Sequence, residues 1–249
     1  MANKDLSNAE LYLWNLVQNN PEKIAKMSIV ALSQFSNVST ATIVRTMQKM
    51  GYSGYTAYRE SLKLKEGAFS ILNDVDDKIR EVITKNEIEM NNTLHNLSYS
   101  TIEDSISMTK QASSIYLLAR GFSEAIAKEM MIKLQLTGKY AQLHTDPNII
   151  KTVAKNIRAN EEVIFVSLNG ETEELVEAAR ELNHNEVPIL TFTTNRDSSL
   201  AKPSTLLFNG YISKTNYFPD YEVRSRLPLQ IMTRIFADAY SVRTGFAKA

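Results

Sequence analysis

The chain contains no cysteine in its 249 residues. That excludes disulfides, iron–sulfur clusters and thiolate zinc sites, and it agrees with a reducing compartment. Histidine is nearly as scarce: His95, His144 and His184 are scattered along the sequence, so a histidine-built metal centre is not expected and no cofactor is called for. Net charge is also missing, because 28 basic side chains are balanced by 28 acidic ones. No global field draws the molecule to nucleic acid or membrane, and any such preference must come from local charge. No segment approaches the roughly 18 apolar residues of a membrane span, and the opening MANKDLSNAELYLW lacks a signal peptide's apolar core. The expectation is a cytoplasmic protein without a membrane partner. What is present is a hydrophobic content of 43%, enough for packed cores in one large domain or two smaller ones.

Local charge is uneven. Between Pro21 and Lys65 lie seven basic residues (Lys23, Lys26, Arg45, Lys49, Arg59, Lys63, Lys65) and two acidic ones (Glu22, Glu60). The same region reads as short helices with abrupt stops. After residue 114, apolar β-type runs alternate with helical ones: 115–119, 141–144, 163–168, 189–194 and 205–208 read as buried strands. Segments 123–137, 147–157 and 171–182 are long enough for crossover helices. The pattern predicts an α/β architecture, a five-stranded parallel sheet covered on both faces, behind an all-α amino-terminal part. Residues 76–112 lack glycine and proline and carry Ile79, Val82, Ile83, Ile88, Leu94 and Leu97, which predicts a connecting helical pair instead of a flexible linker. The expected boundaries are 1–75, 76–112 and 113–249.

In MSIVALSQFSNVSTATIVRTMQKMGYSGY, residues 27–55, Ser28 is placed to cap a helix carrying Ile29, Leu32 and Phe35, SNV turns, and Ser39 is placed to cap a second helix. Ile43, Met47 and Met50 give that second helix one buried stripe, and Gly51 ends it. Its other side presents Ala41, Thr42, Arg45, Gln48 and Lys49. Such a helix suits a major groove about 12 Å wide. Thr40 and Thr42, with Ser39 at the same tip, are short enough to approach base edges, and Arg45 reaches a guanine or a phosphate. Lys49, Arg59 and Lys63 are candidate phosphate contacts. Tyr52, Tyr55 and Tyr58 either support the helix end or hydrogen-bond phosphates. The bland alternative is a helical bundle with a solvated basic face. The run Val38-Ser39-x-Ala41-Thr42-Ile43-x-Arg45, then Met50-Gly51-Tyr52-x-Gly54-Tyr55, resembles the helix-turn-helix signature of the RpiR/MurR family of bacterial regulators, across about 40 positions as short motifs go.

Two strand-to-helix junctions carry the second signal. IFVSLNGETEELVEAA, residues 164–179, passes from a β-prone run through Ser167, Asn169, Gly170 and Thr172 into a helix, and LLARGFSEAIAKEM turns through Gly121 into a helix at Ser123. A helix start offers free N–H groups and partial positive charge, so such a junction is a ready anion site. Two of them at the carboxyl ends of parallel strands would face one crevice. The bland alternative is that Ser123 and Thr172 merely cap their helices. Together the loops resemble the SIS (sugar isomerase) domain, a phosphosugar-binding fold, over residues 100–245. Family members tend to carry Gly-x-Gly-x-Ser and Ser-x-Ser-Gly-x-Thr. Here Ala119 replaces a glycine and Asn169 a serine. Phe122 would stack on a sugar ring or narrow the pocket. The family often has a Ser-Arg pair before the last helix, here Ser225-Arg226, and Arg224 or Arg226 is a candidate to neutralise ligand charge.

The resemblances imply a one-component transcription factor, a dimer or tetramer built through its sugar-binding domains, whose phosphorylated-sugar effector alters affinity for a double-stranded operator. The helical pair at 76–112 is the expected coupling element. The alternatives are an aldose–ketose isomerase, with Glu222, Glu124 or His144 as general base, and a scaffold that binds no phosphosugar. An enzyme is not the expected answer, because none of these three has an identifiable partner in the sequence.

Overall fold

A computed structural model of the chain describes residues 6–59, 62, 76–218 and 223–246. The chain divides into two compact units, Met1–Arg80 and Glu81–Ala249.

The first unit is helical. Helix α1 (Asn8–Gln18) opens with a capping box: Ser7 N–H donates to Glu10 Oε2 at 2.7 Å, and Ser7 Oγ accepts from Glu10 N–H at 3.4 Å. A short α2 (Pro21–Ala25) follows, then α3 (Ile29–Ser36) and α4 (Thr40–Lys49). Ser28 and Ser39 cap α3 and α4 through the N–H groups of Ala31 and Thr42. Asn37, at φ 55°, makes the sharp turn between the two helices. Leu13, Val17, Ile24, Leu32, Ile43, Met47 and Tyr58 form the core. Two expected core residues depart from that plan. Phe35 is 36% exposed, with Lys23 Nζ 4.0 Å above its ring. Met50 is a partly buried C-cap, and the α4 stripe is completed by Thr46, whose hydroxyl donates to Thr42 O and so can be buried without penalty.

The second unit is built on a five-stranded parallel sheet in the order β2-β1-β3-β4-β5. The strands are β1 (Ile115–Ala119), β2 (Ala141–His144), β3 (Glu162–Val166), β4 (Ile189–Thr193) and β5 (Leu206–Asn209). Successive side chains alternate between faces. Ile164 and Val166 join one core with residues of α7 (Ser123–Leu136) and α10 (Leu227–Arg243), while Val163 and Phe165 join another with α8 (Pro147–Ala154) and α9 (Glu173–His184). This is the three-layer αβα arrangement that the sequence predicts. Burial of each large apolar side chain contributes roughly 1.5–3 kcal/mol. Strand β3 ends two residues early, because Leu168 turns its carbonyl to the Thr193 and Thr194 hydroxyls, at 3.0 and 2.8 Å.

Residues 76–112 do form a helical pair, α5 (Asp77–Asn96) and α6 (Tyr99–Gln111). The pair does not stand apart as a connector. Ile106 lies in the sheet's core, Glu103 pairs with Arg243, and Thr93 Oγ1 accepts from Tyr211 N–H at 3.1 Å. From Glu81 onward it belongs to the second unit.

Candidate functional site

The strand order sets the location of a cleft. From β1 the chain crosses to β2 on one side of it, while β3 lies on the other, so the order reverses between β1 and β3. These neighbours end in register, Ala119 beside Val166, and open sheets bind ligands at such a reversal. A cleft of about 420 Å³ lies there. The β1 loop contributes Arg120, Gly121, Phe122 and Ser123, and the β3 loop contributes Ser167, Leu168, Asn169 and Thr172. Val223 and Arg226, before α10, complete the lining.

Neither Ser123 nor Thr172 caps its helix with a side-chain hydrogen bond. Phe122 occupies the N-cap position of α7 and Thr172 that of α9, and neither end has a side-chain cap bond. Glu124 supplies the first loop's bond instead, its Oε1 accepting from Gly121 N–H at 2.8 Å. Among the described residues the two hydroxyls therefore remain available to a guest, and they line the same cleft. Ser123 is buried and lines the cleft.

The rest of the second loop is held firmly. Ser167 Oγ accepts from Gly170 N–H at 3.3 Å, Asn169 Oδ1 accepts from Glu171 N–H at 3.4 Å, and Asn195 Nδ2 donates to Asn169 O at 3.3 Å. Gly121 and Gly170 adopt φ 59° and 68°, the left-handed region that favours glycine. Gly170 does not line the cleft; a side chain there would meet Ser198. Of the two candidate arginines, Arg226 lines the cleft and Arg224 does not. The Arg226 guanidinium stands 5.7 Å from the Phe122 ring centroid, a cation–π arrangement, so Phe122 already has a stacking partner.

The isomerase candidates fare differently. Glu124 does not line the cleft and its Oε1 is engaged with Gly121. His144 stacks on Tyr116 away from the lining, with centroids 6.2 Å apart, and burial lowers its pKa. Glu222 lies outside the described residues. Among the described residues no group of three or more His, Asp or Glu is placed to hold a metal ion, and no helix is long and apolar enough to cross a membrane.

On α4, Thr40, Ala41, Arg45 and Gln48 are exposed together. Ser39 and Thr42 are drawn into the cap: Ser39 Oγ accepts from Thr42 N–H at 3.2 Å and lies 2.9 Å from the Thr42 hydroxyl. Lys49 Nζ bonds Glu10 Oε2 at 2.9 Å, and this bond is the main cause that pulls the Glu10 pKa down to about 2. Arg59 Nη1 reaches Met27 O at 3.5 Å. Tyr55 requires correction as a DNA contact. Its ring is 4% exposed, and its hydroxyl donates to Ile24 O and Met27 O at 3.2 and 3.0 Å, so it braces α2 from inside the core. Tyr58 is buried in the same core, tilted against Trp14 and edge-on to Tyr52. Lys63 lies outside the described residues.

Sequence reasoning missed Arg120 as a cleft residue. The available signal was a long cation placed between a strand end and Gly121.

Comparison with known proteins agrees with both halves. The family model for the helix-turn-helix domain, rpiR family, matches residues 1–70, and that for the SIS domain matches residues 108–212. The HTH-type transcriptional regulator HexR of Pseudomonas aeruginosa is 27% identical over 210 residues, 81% of this chain and 73% of that protein. The HTH-type transcriptional regulator GlvR of Bacillus subtilis is 24% identical over 206 residues, 79% of this chain and 75% of that protein. Among solved structures, the Vibrio vulnificus NanR protein complexed with ManNAc-6P shares the fold at a TM-score of 0.60 and 18% identity, over 96% of this chain and 88% of that one. A helix-turn-helix domain followed by a SIS domain defines a sugar-metabolism transcriptional regulator. Within that class, the amino-terminal domain matches the rpiR-family helix-turn-helix model, and the relatives above are named HTH-type transcriptional regulators.

Proposed function

We propose that the protein represses carbohydrate-metabolism genes and that a phosphorylated sugar, bound in the cleft between the β1 and β3 loops, alters its affinity for operator DNA. The observation that carries this reading is the pair of uncapped hydroxyls, Ser123 and Thr172, which line one cleft at two neighbouring helix N-termini. Hydroxyl donors, free N–H groups and Arg226 suit a phosphate monoester. Gly121, Ser167 and Asn169 shape its surroundings, and Gly170 sets the loop against Ser198. The co-crystallised ManNAc-6P of the NanR protein places an amino-sugar phosphate among the ligands to try. Thr40 and Arg45 meet the DNA, assisted by Thr42, Lys49 and Arg59 where their internal bonds allow. The protein acts in the cytoplasm as a homodimer or homotetramer, whose two-fold symmetry fits a palindromic operator. It is not an enzyme in this reading: Glu124 serves the loop backbone and His144 lies outside the cleft lining.

A thermal-shift screen against phosphorylated sugars tests the cleft. A ligand at 100 times its Kd stabilises the folded state by about 2.7 kcal/mol, which for a chain of this size raises Tm by roughly 5 to 10 °C. No shift with any sugar phosphate would refute the effector. On the DNA side, Arg45→Ala should abolish specific operator retention in a gel-shift assay without changing the circular dichroism of the protein. Undiminished retention would refute the assignment of α4.

A further inference from the structure

The cleft contains a charge problem. Both helices that point at it carry carboxylates in the first turn, Glu124 on α7 and Glu173 and Glu174 on α9. Acidic residues suit a helix N-terminus, whose partial positive charge they satisfy. For the same reason they compete with any anion that the N-terminus is to bind. A phosphate between α7 and α9 would approach three negative charges, of which Arg120 touches Glu124 and Glu174.

Arg120 lies between them. Its Nε donates to Glu174 Oε1 at 2.5 Å, and its Nη1 stands 3.8 Å from Glu124 Oε1. Nη1 also donates to Thr145 O at 2.5 Å. One guanidinium thus joins the segments that follow β1, β2 and β3. Arg120 lines the cleft, and neither carboxylate does.

We propose that Arg120 is the positioning residue of the cleft: it anchors Glu124 and Glu174 and offsets one of their two charges, so that two acid-bearing helix N-termini can act on one anion. The proposal rests on the reading of the cleft as a phosphosugar site. Arg120 acts through the two carboxylates, and the hydroxyls of Ser123 and Thr172 remain the direct donors. Removing it leaves the helix ends in place and frees their carboxylates to repel the guest.

The experiment is calorimetric titration of the full-length protein with inorganic phosphate and with glucose 6-phosphate. Arg120→Met keeps the length of the side chain and removes the charge. It should weaken binding about tenfold or more, the size of one charge-assisted interaction. The deficit should shrink as salt is raised, because exposed charges are screened. Adding Glu124→Gln and Glu174→Gln should bring affinity back to within about threefold of wild type, since the carboxylate charges are gone and the amide oxygen at position 124 can still accept from Gly121 N–H. Circular dichroism establishes that each variant is folded. Should Arg120→Met fail to fold, the double variant Glu124→Gln/Glu174→Gln decides the matter: with Arg120 uncompensated, it must bind both probes more tightly than wild type. Unchanged affinity in Arg120→Met, a folded triple variant that stays weak, or a double variant no tighter than wild type would overturn the proposal. If wild type itself binds neither probe nor any other sugar phosphate, the cleft reading falls first, a result visible before any substitution is made.

Discussion

Gly170 shows how little room one residue leaves. At φ 68° it is already in the left-handed region, and an added Cβ would lie 2.3 Å from Ser198 Oγ and 3.3 Å from Thr193 Oγ1. Gly170→Ala therefore combines backbone strain with a clash, and should destabilise the protein by about 2 kcal/mol. Chemical denaturation measures this, and sugar-phosphate binding should disappear with it, because the β3 loop must move. Glu162 presents a different local conflict. It is fully buried at the start of β3, with Oε1 accepting from the Thr109 hydroxyl at 3.1 Å and Oε2 meeting no hydrogen-bond partner among the described residues. Burial pushes its pKa up to about 8, against the opposing pull of Thr109 and Lys139. Between the ordinary value of 4.5 and about 8, the folded protein holds a proton that the unfolded chain has released. Stability from this group must therefore fall as pH rises through that window and level off above it. Glu162→Gln should remove the slope and unfold at a higher denaturant concentration than wild type at pH 7. Denaturation midpoints at pH 5, 6.5 and 8 check both statements.

At the level of elements, helix α5 is fastened by a buried acid. Glu89 is inaccessible, and its Oε1 accepts from Ser213 N–H at 3.0 Å and Ser213 Oγ at 2.9 Å and pairs with Lys85 Nζ at 3.0 Å. Glu89→Leu strands the mostly buried Lys85 as well as the Ser213 donors, and should cost roughly 3 kcal/mol, the usual penalty for removing one member of a buried pair. Urea denaturation reads that loss. Nothing in the sequence around Glu89 announces the contact, because Ser213 lies 124 positions away. The same distance in sequence explains what was legible and what was not. Strands β1, β3 and β4 are short runs rich in apolar and β-branched residues, and Ser28 and Ser39 cap their helices; these signals are local. Periodicity assigns Phe35 and Met50 to an apolar face but does not say which residues cover that face. It also carries no information about Tyr55 reaching Ile24 and Met27, or Lys49 reaching Glu10. For the cleft, both loops were readable because strand, glycine and hydroxyl lie within a few positions of one another. Arg120 was not, because its partners Thr145 and Glu174 come from other crossovers.

For the molecule as a whole, 28 positive charges balance 28 negative ones, so no long-range field assists its encounter with DNA. Affinity must come from the few cations near α4, and replacing any one cation that touches a phosphate should lower the salt dependence of binding by about one unit of slope. In the proposed regulator those cations are coupled to the cleft, and coupling between two binding events is reciprocal. If a sugar phosphate weakens operator binding by some factor, operator DNA must weaken sugar-phosphate binding by the same factor, whatever path joins the sites. Four dissociation constants test this: operator with and without saturating sugar phosphate, and sugar phosphate with and without saturating operator. The two ratios should agree within experimental error. Agreement would place all of the regulation in one equilibrium between binding-competent states. Disagreement would mean that a further reaction accompanies one of the binding steps, and a change in subunit number is the first to seek, since a two-fold operator is bound by two recognition helices and the free protein need not present both.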